Sequence, residues 1–289
     1  MQRRWLTSLL ILLLCSIATG TIASGAARDP KTLQVALLPD ENAAKVIQDN
    51  EHLKAYLEKE LGRKIAFHVL TSYAAMIEAT RNGRIDLAFF GPLSYCMAKG
   101  KCAIEPFAAK LKDGSATYKA VIIANAGSGI KSVEEIRGKR MAYGDQASTS
   151  SHLIPKGVLA SRGVRPGDYR ESFLGKHDAV ALNVMRGNVD AGGLSRTIFN
   201  SLIEKGTIDK ARVLIIADSD PIPEYPWVMQ SDLAPELKEK VRLSFLNLKA
   251  PEILKPLKAD GFAPIRDSDY DVIRKSARIL NLDLGSLEK

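Results

Sequence analysis

The chain has 289 residues, of which 46% are hydrophobic and 26% charged, with a formal net charge of +8. That is the composition of a globular protein with a sizeable core, in one large or two smaller domains. This charge is not by itself evidence for a nucleic-acid binder, since lysines and arginines are scattered and mixed with acids; a basic surface favours small anions modestly and keeps a protein soluble.

Arg3 and Arg4 precede an apolar run from Leu9 to Leu14, and small residues follow from Ala18 to Ala27. This order reads as a secretory signal peptide over residues 1–27, cleaved near Ala26 or Ala27. The run is too short for a membrane span. Leu14 stands before Cys15 where a lipoprotein needs a small residue. Removing Arg3 and Arg4 takes two of the 41 basic residues against 33 acidic ones and leaves +6. The remaining cysteines, Cys96 and Cys102, read either as one disulfide closing a short loop in an exported protein or as two buried free thiols. Two cysteines alone do not make a metal site.

Lys31–Pro39 reads as a buried strand, and Glu41–Leu61 as an amphipathic helix with Ala43, Ile47, Leu53, Tyr56, Leu57 and Leu61 on one face. Lys64–Leu70 is a second strand, Ser72–Thr80 a helix and Ile85–Phe90 a third strand. Gly91-Pro92-Leu93-Ser94-Tyr95 lies at the end of that strand, with Pro92 suited to a first helical turn. Such alternation builds a mostly parallel sheet with helices on both faces, which binds ligands at the carboxyl ends of its strands.

Tyr118–Ala124 is a strand, Asn125–Gly129 follows it, and Ser132 to Glu135 has capping-box spacing before a short helix ending at Gly138. The alternation then restarts: strand Arg140–Tyr143, helix Ile154–Arg162, strand Tyr169–Phe173, helix Lys176–Arg186, a strand ending at Ala191, helix Ser195–Lys205 and strand Arg212–Ala217. This is a second α/β lobe inserted in the first. The expected division is residues 28–124 with 226–289 for lobe 1 and 125–225 for lobe 2. Asn125–Gly129 and Pro221–Tyr225 form the expected hinge, and helices at Ala234–Leu248 and Tyr270–Asn281 complete lobe 1.

The most informative stretch runs from Gly144 to Pro155, Gly-Asp-Gln-Ala-Ser-Thr-Ser-Ser-His-Leu-Ile-Pro. Hydroxyl residues in a row make a poor helix interior and a good helix start. The unpaired N–H groups and partial positive charge there, with the hydroxyls of Ser148, Thr149 and Ser150, suit a tetrahedral oxyanion. A well-capped helix with no ligand gives the same residues. Tyr73, Tyr95 and the helix-start His177 are further polar groups at lobe ends.

Five motifs in order carry a resemblance. They are Thr71-Ser72-Tyr73, the run from Asp86 through Gly91-Pro92-Leu93-Ser94-Tyr95, Ser148-Thr149-Ser150 with Pro155, Gly175-Lys176-His177-Asp178-Ala179, and Gly187-Asn188-Val189-Asp190-Ala191-Gly192. From about Leu33 to Leu248 the chain resembles the PhnD-like periplasmic phosphate/phosphite/phosphonate-binding proteins of ABC transporters. The resemblance implies a two-lobed type II periplasmic binding fold of the α/β class, with mixed sheets, helices on both faces and a two-stranded hinge. It would be open without ligand and closed around it.

The resemblance further implies a cleft lined by Tyr73, Tyr95, Ser148, Thr149, Ser150 and His177, with neutral donors holding the oxyanion. Glu224 falls where relatives that hold aminoalkylphosphonates place an acid, and Trp227 walls the site or packs the hinge. A second such acid is missing from Ser195-Arg196-Thr197, and Ser151 stands where relatives have glycine. The expected partners are a small phosphorus oxyanion and an ABC permease, for a monomer with no cofactor, no catalytic residue, no metal, no nucleic acid and no membrane insertion. Four rivals remain: a hydrolase, which lacks a Gly-x-Ser-x-Gly elbow; a ferric-ion binder; the same fold with another small anion, a sulfonate or a thiamine precursor; and a ligand module feeding a sensor.

Overall fold

The computed structural model describes residues 27–285, so the expected signal segment, apart from Ala27, lies outside the described residues. The strands are β1 (Thr32–Leu37), β2 (Lys64–Val69), β3 (Leu87–Phe89), β4 (Ile104–Leu111), β5 (Thr117–Tyr118), β6 (Ala120–Asn125), β7 (Arg140–Tyr143), β8 (Arg170–Phe173), β9 (Ala191–Ser195), β10 (Val213–Asp218), β11 (Ile222–Pro223), β12 (Pro226–Gln230) and β13 (Gly261–Ala263). The helices are α1 (Ala43–Leu61), α2 (Tyr73–Arg81), α3 (Pro92–Lys99), α4 (Ile154–Ser161), α5 (His177–Arg186), α6 (Arg196–Glu204), α7 (Pro235–Leu246), α8 (Pro251–Leu254) and α9 (Asp271–Ile279).

These strands form two sheets and a ribbon. The six-stranded sheet has the order β13-β4-β12-β3-β1-β2, and the five-stranded sheet β10-β6-β9-β7-β8. Both are mixed. β1 runs parallel to β2 and β3, while β12 is antiparallel to β3 and β4. In the second sheet β7 runs parallel to β8 and β9, and β6 antiparallel to β9 and β10. Period-two alternation feeds a core on each face. Leu33, Val35 and Leu37 of β1 meet the core that includes Leu53 and Leu57 of α1 and Phe245 of α7. Ala36 faces the opposite core, with Met76 of α2 and Ile273 of α9. In β6, Val121 and Ile123 face Val184 and Phe199, and Ile122 and Ala124 face Leu159 and Tyr169.

Two glycines in β9 let helices close on both sides of the second sheet. A Cβ at Gly192 would lie 2.5 Å from Val180 of α5, and one at Gly193 2.5 Å from Pro155 of α4. Any side chain there would push a helix off the sheet. The Asp-Ala-Gly motif of the sequence is thus a packing device first.

β5 and β11 pair antiparallel, Tyr118 with Ile222 and Thr117 with Pro223. This ribbon lies in sequence between the strands of the two sheets on both passes, so it is a two-stranded crossover. Its position corrects the expected first crossing. β6 lies in the second sheet, so the chain leaves the first before Ala120, and Asn125–Gly129 forms a turn at the far end of β6. The strand β4, which the sequence reading passed over, sits between β12 and β13.

The two halves are closed on one another. His177 N–H donates to Asp40 O at 2.9 Å, Leu93 N–H to Thr149 Oγ1 at 2.7 Å, Tyr73 N–H to Asp145 Oδ2 at 3.3 Å and Asn42 N–H to Asp178 Oδ2 at 3.1 Å. Each bond links a residue beside the first sheet to one beside the second. Cys96 and Cys102 are free thiols, not a disulfide. Their sulfurs are directed at separate carbonyls, Tyr270 O at 3.8 Å and Ile77 O at 3.9 Å.

Candidate functional site

β7 ends at Tyr143, and the loop from Gly144 to Ala147 delivers the hydroxyl run to the interface between the halves. Thr149–Leu153 forms a π-helical turn that continues into α4, with Ser148 as its cap accepting from Ser151 N–H at 3.1 Å. The N–H groups of Thr149 and Ser150 open this helix and lack an intrahelical acceptor. Ser151 spends its hydroxyl inside the fold: Oγ accepts from Gly144 N–H at 2.8 Å and donates to Gly193 O. It ties the end of β7 to β9 and holds the loop from behind. Asp145 works likewise, accepting from Ala147 N–H at 2.8 Å and from Tyr73 N–H.

Three buried hydroxyls converge there without a hydrogen-bond partner among the described residues: Tyr73 Oη, Tyr118 Oη and Ser150 Oγ. The Tyr73 phenol faces Ser148, and the Tyr118 phenol faces Ser150, Thr149 and Tyr225, none of them at full hydrogen-bonding geometry. Burial raises the phenol pKa of Tyr73 and of Tyr118, so both stay protonated donors. Orphaned buried donors are costly unless something accepts from them. An oxyanion with several lone pairs meets that need.

His177 opens α5 and is fully buried. Its Nδ1 accepts from Ser195 N–H at 3.0 Å, which places the ring proton on Nε2. Nε2 lies 3.4 Å from Ser148 Oγ. Burial drives the His177 pKa down to about 3, so the ring is a neutral donor at physiological pH. The cradle therefore carries no formal positive charge and offers only hydroxyls, one imidazole N–H and backbone amides.

Tyr95 is not part of this cluster. Its hydroxyl donates to Asp267 Oδ1 at 2.6 Å, and its ring packs edge-on against Tyr270 with centroids 4.9 Å apart. Being four residues into α3, it points at the segment leading into α9. The missed residue is Tyr118, delivered by the crossover ribbon. A lone tyrosine between the exposed Thr117 and Lys119 is the only local signal that marked it.

Beyond Tyr118 a cavity of about 100 Å3 extends between the halves, bordered by Asp40, Phe89, Lys110, Ser195, Glu224 and Tyr225 among others. Glu224 is half-buried and its Oε1 accepts from Tyr225 N–H at 3.0 Å. Trp227 reaches the cavity only as part of its floor. It is a core residue, 5.0 Å from Phe89 and 4.8 Å from Phe245 between ring centroids. Asp40 is buried at the cavity wall, and burial together with the neighbouring Glu41 charge pushes its pKa up to about 7.

Comparison with known proteins agrees with this architecture. The family model described as "ABC transporter, phosphonate, periplasmic substrate-binding protein" matches residues 35–270. The chain is 30% identical over 271 residues to the phosphate-import protein PhnD of Mycolicibacterium smegmatis, covering 85% of this chain and 84% of the relative. It is 25% identical to a probable ABC transporter phosphite binding protein, PhnD1, of Prochlorococcus marinus, covering 92% and 95%. The structure of PhnD1 from that organism in complex with methylphosphonate superposes with a TM-score of 0.83 at 24% identity, over 88% of this chain and 100% of the other. The fold is the two-lobed type II periplasmic binding fold. The chain belongs to the phosphonate-binding family of periplasmic substrate-binding proteins of ABC transporters.

Proposed function

We propose that this protein captures a small phosphorus oxyanion, a phosphonate, phosphite or phosphate, in the cradle between its halves and delivers it to an ABC permease. The observation that carries the reading is the convergence of Tyr73, Tyr118 and Ser150, three buried donors with no partner among the described residues. Ser148, Thr149 and neutral His177 complete a ring of donors. Fixed neutral dipoles hold an anion without a full countercharge. The names of the relatives, which include phosphate import and phosphite binding, support the same ligand class.

In this reading residues 28–118 with 223–285 form one lobe and 119–222 the other, and they rotate about the β5–β11 ribbon. The first 27 residues are removed on export to the periplasm, and the mature protein works as a monomer that binds no nucleic acid. Ligand favours the closed form because Tyr73 belongs to one lobe and Ser148–Ser150 and His177 to the other, so one anion touches both only when they meet. Glu224 borders the space beyond the anion rather than the cradle itself.

Isothermal calorimetry on mature protein stripped of ligand, against phosphate, phosphite, methylphosphonate and sulfate, tests the reading. Tight binding of one phosphorus anion with sulfate silent supports it. Silence from every phosphorus anion sinks it.

A further inference from the structure

The cavity beyond Tyr118 is built like a receptor for a cation. Carboxylates of Asp40 and Glu224 border it, and the rings of Phe89 and Tyr225 lie 5.4 Å apart on its wall. Acids and aromatic faces around one small space are the ordinary means of holding an ammonium group. Of the other nearby acids, Asp49 pairs with Lys45 at 2.8 Å, and Glu41 pairs with it through Oε1 at 3.0 Å while its buried Oε2 has no hydrogen-bond partner among the described residues, which adds to the negative lining.

The place is already filled from within. Lys110 of β4 is half-buried, and its Nζ sits 5.2 Å from the Phe89 ring centroid and 5.9 Å from that of Tyr225. Its charge also acts on Asp40. Register pairs Lys110 with Phe262 of β13, another residue of the cavity wall, so the backbone fixes where this side chain starts and the ring contacts where its ammonium lies.

We propose that Lys110 is a specificity-determining residue: its ammonium occupies the cation position of the cleft, so the cleft accepts compact phosphorus oxyanions with neutral substituents and rejects those with an aliphatic ammonium tail. The proposal rests on the phosphorus-oxyanion reading above. A tethered cation is held in place by the fold, so an incoming ammonium meets like charge where a receptive site would offer only carboxylates. An uncharged tail of the same length meets no such penalty. Lys258, which also borders this cavity, adds charge of the same sign.

The test compares two tails of nearly equal size, 2-aminoethylphosphonate and propylphosphonate, by calorimetry on the full mature protein, with methylphosphonate as the compact reference. Wild type should favour the uncharged tail by about tenfold or more. Lys110→Met should shift that ratio toward the aminoethyl ligand by about tenfold, and Lys110→Arg should leave it in place. If methylphosphonate binds but the cavity admits neither tail, Lys110→Met should create measurable aminoethyl binding.

Equal affinity of wild type for the two tails would overturn the proposal even if Lys110→Met failed to fold. So would a Lys110→Met ratio unchanged from wild type, or a variant that still admits neither tail. Each of these outcomes leaves the oxyanion reading standing so long as methylphosphonate, phosphite or phosphate binds. Silence from all three removes both.

Discussion

Ser195 donates its backbone N–H to His177 Nδ1 at 3.0 Å, and that bond decides the chemistry of the imidazole. A nitrogen that accepts cannot carry the ring proton, so Nε2 carries it and points at Ser148. The histidine is then a neutral donor locked in one tautomer by β9. His177→Ala should weaken anion binding by about one to two orders of magnitude, because a hydrogen bond to a charged partner contributes about 1.5–3 kcal/mol. Calorimetry checks this; an unchanged dissociation constant would remove His177 from the site.

Thr149 serves two purposes with one hydroxyl. Its oxygen accepts from Leu93 N–H across the halves at 2.7 Å, which leaves its hydrogen for a ligand. Thr149→Val removes both and should cost about tenfold or more in affinity, whereas Thr149→Ser keeps both and should cost less. Equal losses in the two variants would show that the hydroxyl alone does not account for the contribution of Thr149.

Tyr118 and Tyr95 should separate cleanly. Tyr118→Phe removes an orphaned donor aimed into the cradle and should weaken binding by about tenfold. Tyr95→Phe removes the bond to Asp267 and should lower unfolding free energy by about 1–2 kcal/mol with affinity retained. Paired calorimetry and urea denaturation decide; loss of affinity in Tyr95→Phe alone would restore the original assignment.

Acid should destabilise the fold through its buried histidines. In the unfolded chain an imidazole takes up its proton near pH 6.5, whereas burial holds His177 neutral down to about 3. Burial, helped by the charge of Lys156, holds His152 neutral down to about 4. The unfolded state therefore binds more protons in that interval, so stability is complete above pH 6.5 and is lost as pH falls through it toward 3. His177→Gln should flatten part of the slope of urea midpoint against pH, and an identical slope in that variant would refute the assignment.

Asp40 acts in the opposite sense. Its folded pKa of about 7 exceeds the ordinary value of 3.8, so its contribution is complete below 3.8 and lost as pH rises through 7. Asp40→Asn should raise the urea midpoint at pH 8 relative to its effect at pH 6. No difference between the two pH values would show that Asp40 ionises like an exposed acid.

The alternation of strand and helix made the two halves readable, because β1 and β6 carry apolar runs covered on both faces and the helices between the strands have clear starts. What stayed hidden was long-range. Ile104–Leu111 mixes Glu105, Pro106 and Lys110 with its apolar residues and shows no clean period, so β4 emerges only when β12 and β13 pair with it. The hydroxyl run and His177 stood out locally, since helix starts are written in adjacent residues. Tyr95 and Tyr118 were not separable that way. Which tyrosine faces the other half depends on a packing partner 172 residues away for Tyr95 and on a two-residue ribbon for Tyr118.

That ribbon has a mechanical consequence. A rotation between two bodies displaces each atom in proportion to its distance from the axis. Tyr118 lies on the axis if β5 and β11 supply it, while Thr149 and Leu93 belong to opposite jaws and part company. In the proposed rotation about the ribbon, one wall of the cradle stays nearly stationary as the jaws swing, so an arriving anion can land on a fixed hydroxyl before the moving ones reach it, and a departing one leaves that hydroxyl last.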